Sequence, residues 1–389
     1  MNINYHYFAV KTIARRAGLN ERVSQILASY SQLIDDFDVY AAVTLSDIPV
    51  YARHLAEKTS SGKWKFYPVT TGFNSYVDMA RLLSEVHQRQ ITIPFHFITK
   101  SQLTMNTDET PRHVFRTIPH RYEDRSTISF LMMNAITNFR REQSDVNIMR
   151  VGMLLHTFAD TYAHQNFSGF RGWENHSKVT NVIKTCNGED ITDNYKKNKY
   201  EIAPSVGHTN VFHAPDDSFA AFKSIMKLSE DDDYHAYINR SNTQEFVKAS
   251  WAIYDFLVEC FLLDKMSDAE WNDFSLQLRD GFLFEENEYK DVAVLCRRWN
   301  NLFPDYDYHY EKEKYVKSVF TVESNSSNMS EEDLIADVLY NPNSEHRDNV
   351  FTVKDDNYFH YNVIAKEIRD YVNGYKTPIK AVYEAFTSS

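Results

Sequence analysis

Nine residues constrain this chain more than any others: His156-Thr-Phe-Ala-Asp160-Thr-Tyr-Ala-His164. The flanking stretch, Val146–Gln165, reads as a buried helix. On a helix each step of four residues drifts by only about 40°, so His156, Asp160 and His164 project from one face. A core helix has no apolar reason to hold an imidazole, a carboxylate and an imidazole in line. Neutral imidazole and ionised carboxylate are the nitrogen and oxygen donors that zinc takes. The other reading is a buried hydrogen-bond network, which would need every member satisfied. The pattern favours a metal site.

The rest of the chain reads as helices joined by long loops. Only 10 Gly and 10 Pro occur in 389 residues, which argues against a turn-rich β protein. Helical spacing of apolar residues runs over 8–34, interrupted at Gly18 and restarted with Asn20 as a cap. It recurs over 76–90, over 126–165 with a polar break at 140–145, and over 217–229, 243–264 and 268–300. A helix stop is expected at Gly169 and Gly172. Pro94 predicts that 91–98 is extended. Residues 40–75 read as mixed and partly loop-like, 104–125 as polar loop, 174–215 as irregular except near Val206-Gly207-His208, and 304–330 as a mobile connection. Ser330 caps an expected helix from Glu331 to Leu339, and 358–371 is the last helix. The expectation is an all-α fold: one large helical domain over residues 1–303, then a C-terminal extension over 304–389 packed on it.

The net charge of −12 weighs against nonspecific nucleic-acid binding and against docking on an anionic membrane, while leaving room for a local basic funnel. Three cysteines, Cys186, Cys260 and Cys296, are few and far apart, so neither a disulfide framework nor a thiolate zinc site is implied. The N-terminal residues lack the apolar run of a secretory signal, and no stretch approaches a membrane span. The expectation is a chain made in the cytoplasm without a cleavable signal.

Further candidate ligands fall in separate clusters. They are His6 between Tyr5 and Tyr7, Asp35-Asp36 after an apolar helix, His96 in Pro94-Phe-His-Phe, and His208, His213, Asp216 and Asp217 downstream. Each has an ordinary reading. A lone His among aromatics is commonly a hydrogen-bonded core residue. An Asp after a helix is commonly a loop residue.

The run Leu154-Leu-His156-Thr-Phe-Ala-Asp160-Thr-Tyr-Ala-His164-Gln165-Asn-Phe-Ser-Gly169 resembles the central metal helix of the zinc-dependent phospholipase C superfamily, which also contains single-strand-specific zinc nucleases. It looks most like a bacterial branch of phosphatidylcholine-type phospholipases C. Other resemblances follow in the family's order: His6 between aromatics, Asp35-Asp36, Pro94-Phe-His96-Phe, Gly207-His208 with Pro215-Asp216, and a closing Phe359–Ala365 helix. The resemblance implies two or three zinc ions. Asp35, His96, His156 and Asp160 would hold one, and Asp160 would bridge to another. His164, His208 and Asp216 would hold a third position, and His6 would complete the N-terminal zinc. His208 with Asp216 is preferred over His213 with Asp217, and Asp35 over Asp36. The secreted enzymes of that family expose an N-terminal Trp whose amino group binds zinc. This chain starts with Met1 and departs from them there.

What the resemblance implies is phosphodiester hydrolysis. Paired zinc ions acidify a bridging water, whose hydroxide attacks the phosphorus, and neutralise charge on the phosphoryl oxygens. Asp35 or Asp36 is the candidate proton acceptor. The expected enzyme is a phospholipase C that splits glycerophospholipid into diacylglycerol and a phosphorylated head group during transient contact with a membrane surface. Tyr5, Tyr7, Phe95, Phe97, Phe167 and Phe170 either line an apolar approach for lipid or pack the core. The rivals are a zinc nuclease on single-stranded nucleic acid, which the acidic charge disfavours, and a catalytically inactive metal-stabilised binding module. Lipase-like motifs without a cleavable signal suggest an effector exported by a dedicated secretion machine.

Overall fold

A computed structural model describes residues 1–73, 83–103, 112–196, 205–230, 235–284, 292–323, 325, 327–341 and 343–387. Two compact units divide the chain. One comprises Met1–Gln32 and Thr92–Tyr310, the other Leu33–Ile91 and Glu311–Ser389.

The first unit is built around the helix Asp145–Ala163. From Ile148 onward almost every residue of this helix is buried. It packs against the helices Thr127–Arg141 and Asn242–Phe261, and against the segment Asn4–Ala9. Ser126 caps the first of these neighbours by accepting from the Ser129 amide. Ser267 and Glu270 form a reciprocal capping box at the helix Asp268–Phe282. Gly152 marks a close helix crossing, where a Cβ would lie 2.6 Å from the Leu27 carbonyl oxygen. The buried helix ends at Ala163. Asn166 then takes a left-handed conformation at φ 75°, upstream of the expected stops at Gly169 and Gly172.

The expected all-α fold is overturned, because each unit contains a sheet. In the first unit, Ser177–Lys184, Ala220–Lys227 and His235–Ser241 form an antiparallel meander. The segment Ala220–Lys227 falls where a helix over 217–229 was expected. Its Ala220, Phe222, Ser224 and Met226 are buried and the intervening residues point away, a period of two that the helical count had absorbed.

The second unit holds a five-stranded sheet in the order Ala56–Lys58, Trp64–Phe66, Val43–Leu45, Val350–Val353, Phe320–Val322. Val43–Leu45 and Val350–Val353 run parallel, and the other pairs are antiparallel. These strands are three or four residues long, too short to show a period, so 40–75 reads as mixed and partly loop-like and 304–330 as a mobile connection. The helix Asn357–Asn373 supplies their core: Tyr358 packs on Phe66 and Phe320, and the Asn362 side chain accepts from the Val69 amide at 2.6 Å.

Residues 91–98 are not extended. A wide-wound helix spans Gln88–His96 with Pro94 inside it, and the Phe97 amide reaches back five residues to the Thr92 carbonyl at 2.9 Å. The wider winding accommodates a residue that has no amide hydrogen to give. The caps expected at Asn20 and Ser330 form, by accepting from the Val23 and Asp333 amides. Residues 74–82 and 104–111 lie outside the described residues, as do parts of the helix expected over 76–90 and the loop expected over 104–125. Among the described residues no helix is long and apolar enough to cross a membrane.

Candidate metal centre

Four pieces of the first unit converge on the end of the buried helix. The helix itself supplies His156 and Asp160, with His164 at its C-cap. The wide-wound segment Asn4–Ala9 supplies His6, whose ring stacks on His156 at 3.8 Å between centroids. The end of the segment around Pro94 supplies His96. A loop supplies His208 and Asp216. Two groups made wholly of first-unit residues have ligand atoms mutually within 4.8 Å: His6, His156 and Asp160, and His164, His208 and Asp216.

Asp160 lies between them. Its Oδ1 is 3.2 Å from His6 Nε2. Its Oδ2 is 3.3 Å from His156 Nε2, 3.4 Å from His96 Nδ1 and 3.6 Å from His164 Nδ1. Asp216 is the second carboxylate, with Oδ1 3.0 Å from His164 Nε2 and Oδ2 3.1 Å from His208 Nε2. The amino nitrogen of Met1 sits 2.6 Å from Asp160 Oδ1 and 3.1 Å from Asp216 Oδ1, so a positive charge lies between the two carboxylates.

Backbone carbonyls select the imidazole tautomers. His164 Nδ1 is 2.7 Å from the His96 carbonyl, and His208 Nδ1 is 2.6 Å from the Phe212 carbonyl. A carbonyl only accepts, so each Nδ1 carries hydrogen and each neutral ring turns an Nε2 lone pair towards Asp216. A lone pair facing a carboxylate oxygen at 3.0 Å is held by a shared cation or a proton. Among the described residues, neither His6 nitrogen nor Asp160 Oδ2 makes a hydrogen bond, although all three atoms are buried. Buried polar atoms without partners are costly. A metal ion would satisfy them, and the donor set suits zinc.

The electrostatics keep the ligands in their binding forms. Burial pushes His156 and His164 down to about 4, and His6 well below the usual imidazole range. Burial would raise Asp160, but His164, the Met1 amine and His156 outweigh it and hold the carboxyl well below the usual range. Burial likewise opposes ionisation of Asp216, and His208 and the Met1 amine overcome it. His208 moves up, because Asp216 outweighs its burial. Near neutral pH the centre therefore presents neutral imidazoles at His6, His156 and His164 and two carboxylates.

The second group depends on residues that no local motif marks. Arg240 is buried and donates to the Ala163 carbonyl at 2.5 Å and the Pro215 carbonyl at 3.4 Å, which ties the helix end to the loop of Asp216. Asn242 donates to the Ala214 and Asp217 carbonyls. Gly207 sits at φ 54°, and a Cβ there would come within 2.5 Å of the Phe97 ring. That ring stacks on His164 at 4.4 Å.

The structure brings His6, His96, His156, Asp160, His164, His208 and Asp216 together. Of the rival pair, His213 is exposed, and the Asp217 carboxylate accepts from the Tyr195 hydroxyl at 2.5 Å. Asp35 and Asp36 close the helix Glu21–Asp36 and fall in the second unit, whereas the centre described is the one assembled in the first. Tyr5, Tyr7, Phe95, Phe97, Phe167 and Phe170 are all buried.

A helical unit in which several His/Asp groups can hold a metal ion defines a candidate metalloprotein. The chain belongs to a family of unknown function, DUF6765, which it matches over residues 1–375. Comparisons with curated proteins and with solved structures find no match.

Proposed function

We propose that this protein is a zinc-dependent phosphodiester hydrolase of the phospholipase C type, splitting glycerophospholipid into diacylglycerol and a phosphorylated head group. The observation that carries this reading is the position of Asp160, one carboxylate within 3.6 Å of imidazoles from both ligand groups. A carboxylate shared in this way is the natural bridge of a multinuclear site, the arrangement suited to in-line phosphodiester displacement. The resemblance of the helix motif and its partners to phospholipases C selects lipid over other phosphodiesters.

His6, His96, His156 and Asp160 would hold one ion, and His164, His208 and Asp216 another. Zinc bound there would polarise the phosphoryl oxygens and acidify a water. The protein's own part is preorganisation. Burial keeps His156 and His164 unprotonated and ready to bind. The His96 and Phe212 carbonyls fix two ring orientations. Arg240 holds the loop of Asp216 against the helix end.

Metal analysis paired with a lipid panel tests the reading. The wild type is expected to hold more than one zinc per chain and to release diacylglycerol from phosphatidylcholine. Asp160→Asn is expected to lose both. Undiminished hydrolysis by Asp160→Asn, or by zinc-free wild type, would sink the proposal. Release of nucleotides from single-stranded DNA without diacylglycerol would make the protein a nuclease. Tightly held zinc with neither activity would make it a metal-stabilised binding module.

A further inference from the structure

We propose that the short helix Val50–Leu55 and the adjoining strands Ala56–Lys58 and Trp64–Phe66 form a docking face for anionic membrane lipid. The helix has three residues per turn, so Val50 and Arg53 share one edge while Ala52 and Leu55 turn inward and are buried. Val50 is 74% exposed. Trp64 pairs with Lys58 across the two strands, so both side chains lie on one face of the sheet. The Arg53 guanidinium stands 5.2 Å from the Trp64 ring centroid and Lys58 Nζ 5.8 Å. One indole and two cations thus form a cluster, and Val50 lies on the helix edge that carries Arg53.

The charge of this segment runs against that of the chain. Residues 50–66 carry Arg53, Lys58, Lys63 and Lys65 against Glu57 alone, in a protein of net charge −12. Lys63 is neutralised by Glu323 at 3.0 Å, and Glu57 by Lys380 at 3.1 Å. Arg53 and Lys58 make no ion pair among the described residues, while Lys65 stands opposite Glu57 on the other face of the sheet.

Cations left without carboxylates around a half-buried indole, beside the exposed Val50, suit a lipid head-group layer. Trp settles at the membrane interface, and Lys and Arg lay their stems on apolar surface while their heads reach phosphates. The remainder of the acidic chain is repelled by the same surface, so attraction confined to one face also sets the orientation. Single-stranded nucleic acid would use cations and a ring as well. It has no use for the exposed Val50 side chain, which lipid would bury.

The proposal stands apart from the hydrolase reading, since this face lies wholly in the second unit and binding is read without chemistry. The experiment is sedimentation of the full-length Asp160→Asn chain with vesicles of phosphatidylcholine alone or mixed with phosphatidylserine. Binding is expected only to the mixed vesicles. It should weaken as salt rises from about 0.1 M to about 1 M, over which the screening length falls from about 10 Å to about 3 Å. Arg53→Glu with Lys58→Glu should lower vesicle partition at least tenfold, on the order expected for reversing two interfacial charges. Val50→Ser, at an exposed position, should weaken partition while the fold is kept. No sedimentation of the parent chain, equal sedimentation of the charge-reversed chain, or binding of single-stranded DNA in place of vesicles would each overturn the proposal. Vesicle binding by a wild-type chain that hydrolyses no lipid would count against the hydrolase reading alone.

Discussion

Replacing Gly152 with alanine sets helix propensity against packing. On propensity alone the change would stabilise the helix Asp145–Ala163 by about 1 kcal/mol. The packing reverses the sign. A Cβ at 152 would lie 2.6 Å from the Leu27 carbonyl oxygen and 3.1 Å from its Cα, where ordinary contact begins at 3.4 Å. The obstacle is helix backbone, so no side-chain rotation relieves it. Insertion of a methyl into a packed core costs about 1–3 kcal/mol, and the upper end applies when backbone must move. The net expectation is a loss of about 1–2 kcal/mol. Because His156 lies one turn further along the same helix, zinc affinity should fall as well. The assay is the urea midpoint of metal-free wild type and Gly152→Ala, followed by zinc titration of both. An unchanged or higher midpoint for the alanine variant would show that the two helices do not meet as described.

Gly207→Ala forces a side chain into a left-handed conformation, at roughly 1–2 kcal/mol, and drives the Phe97 ring away from His164. Zinc titration should show a weakened site at His164, His208 and Asp216 with the His6 and His156 group retained; equal affinity at both would refute it. Arg240→Met removes the donors to the Ala163 and Pro215 carbonyls and should cost about 1–3 kcal/mol of stability with loss of the same ion. Arg240→Lys should not restore it, because a lysine cannot span two carbonyls with a planar fork.

Acid should destabilise the metal-free protein between pH 6.5 and about 4. His156 and His164 are held at about 4, so below pH 6.5 the unfolded chain takes up protons that the native state refuses. Each contributes up to about 3 kcal/mol, present above 6.5 and lost as pH falls through 4. His208 acts in the opposite sense, because its raised pKa adds stability below 6.5 that is lost as pH rises through the folded value. Two depressed imidazoles outweigh one raised. Denaturant midpoints at pH 7, 6 and 5 should therefore fall, and a flat profile would contradict the burial of these rings.

The ligands on the helix were legible because a helix repeats locally. His156, Asp160 and His164 fall on one face by spacing alone, and the structure keeps them there. His6, His96, His208 and Asp216 could be named as candidates, but nothing local said which would meet. In the sequence His208 with Asp216 is preferred over His213 with Asp217 only through the resemblance of Gly207-His208. The fold separates them through Gly207, the Phe212 carbonyl, and a Tyr195 hydroxyl that engages Asp217. The sheets were missed for a related reason. Ala220–Lys227 has enough apolar residues to pass for a helix, and the three-residue strands of the second unit have no period to read.

By itself the sequence determined one buried helix with three donors in line, along with the helix caps at Asn20 and Ser330. Those features rest on hydrogen bonds and spacings within a few residues. Only the tertiary structure decided that Asp160 stands between two groups of imidazoles, that two carbonyls turn their lone pairs inward, and that Arg240 joins the helix end to the Asp216 loop. Such relations join residues as far apart in the chain as His6 and Asp160. Burial and long-range packing set them, and no short stretch of chain encodes either.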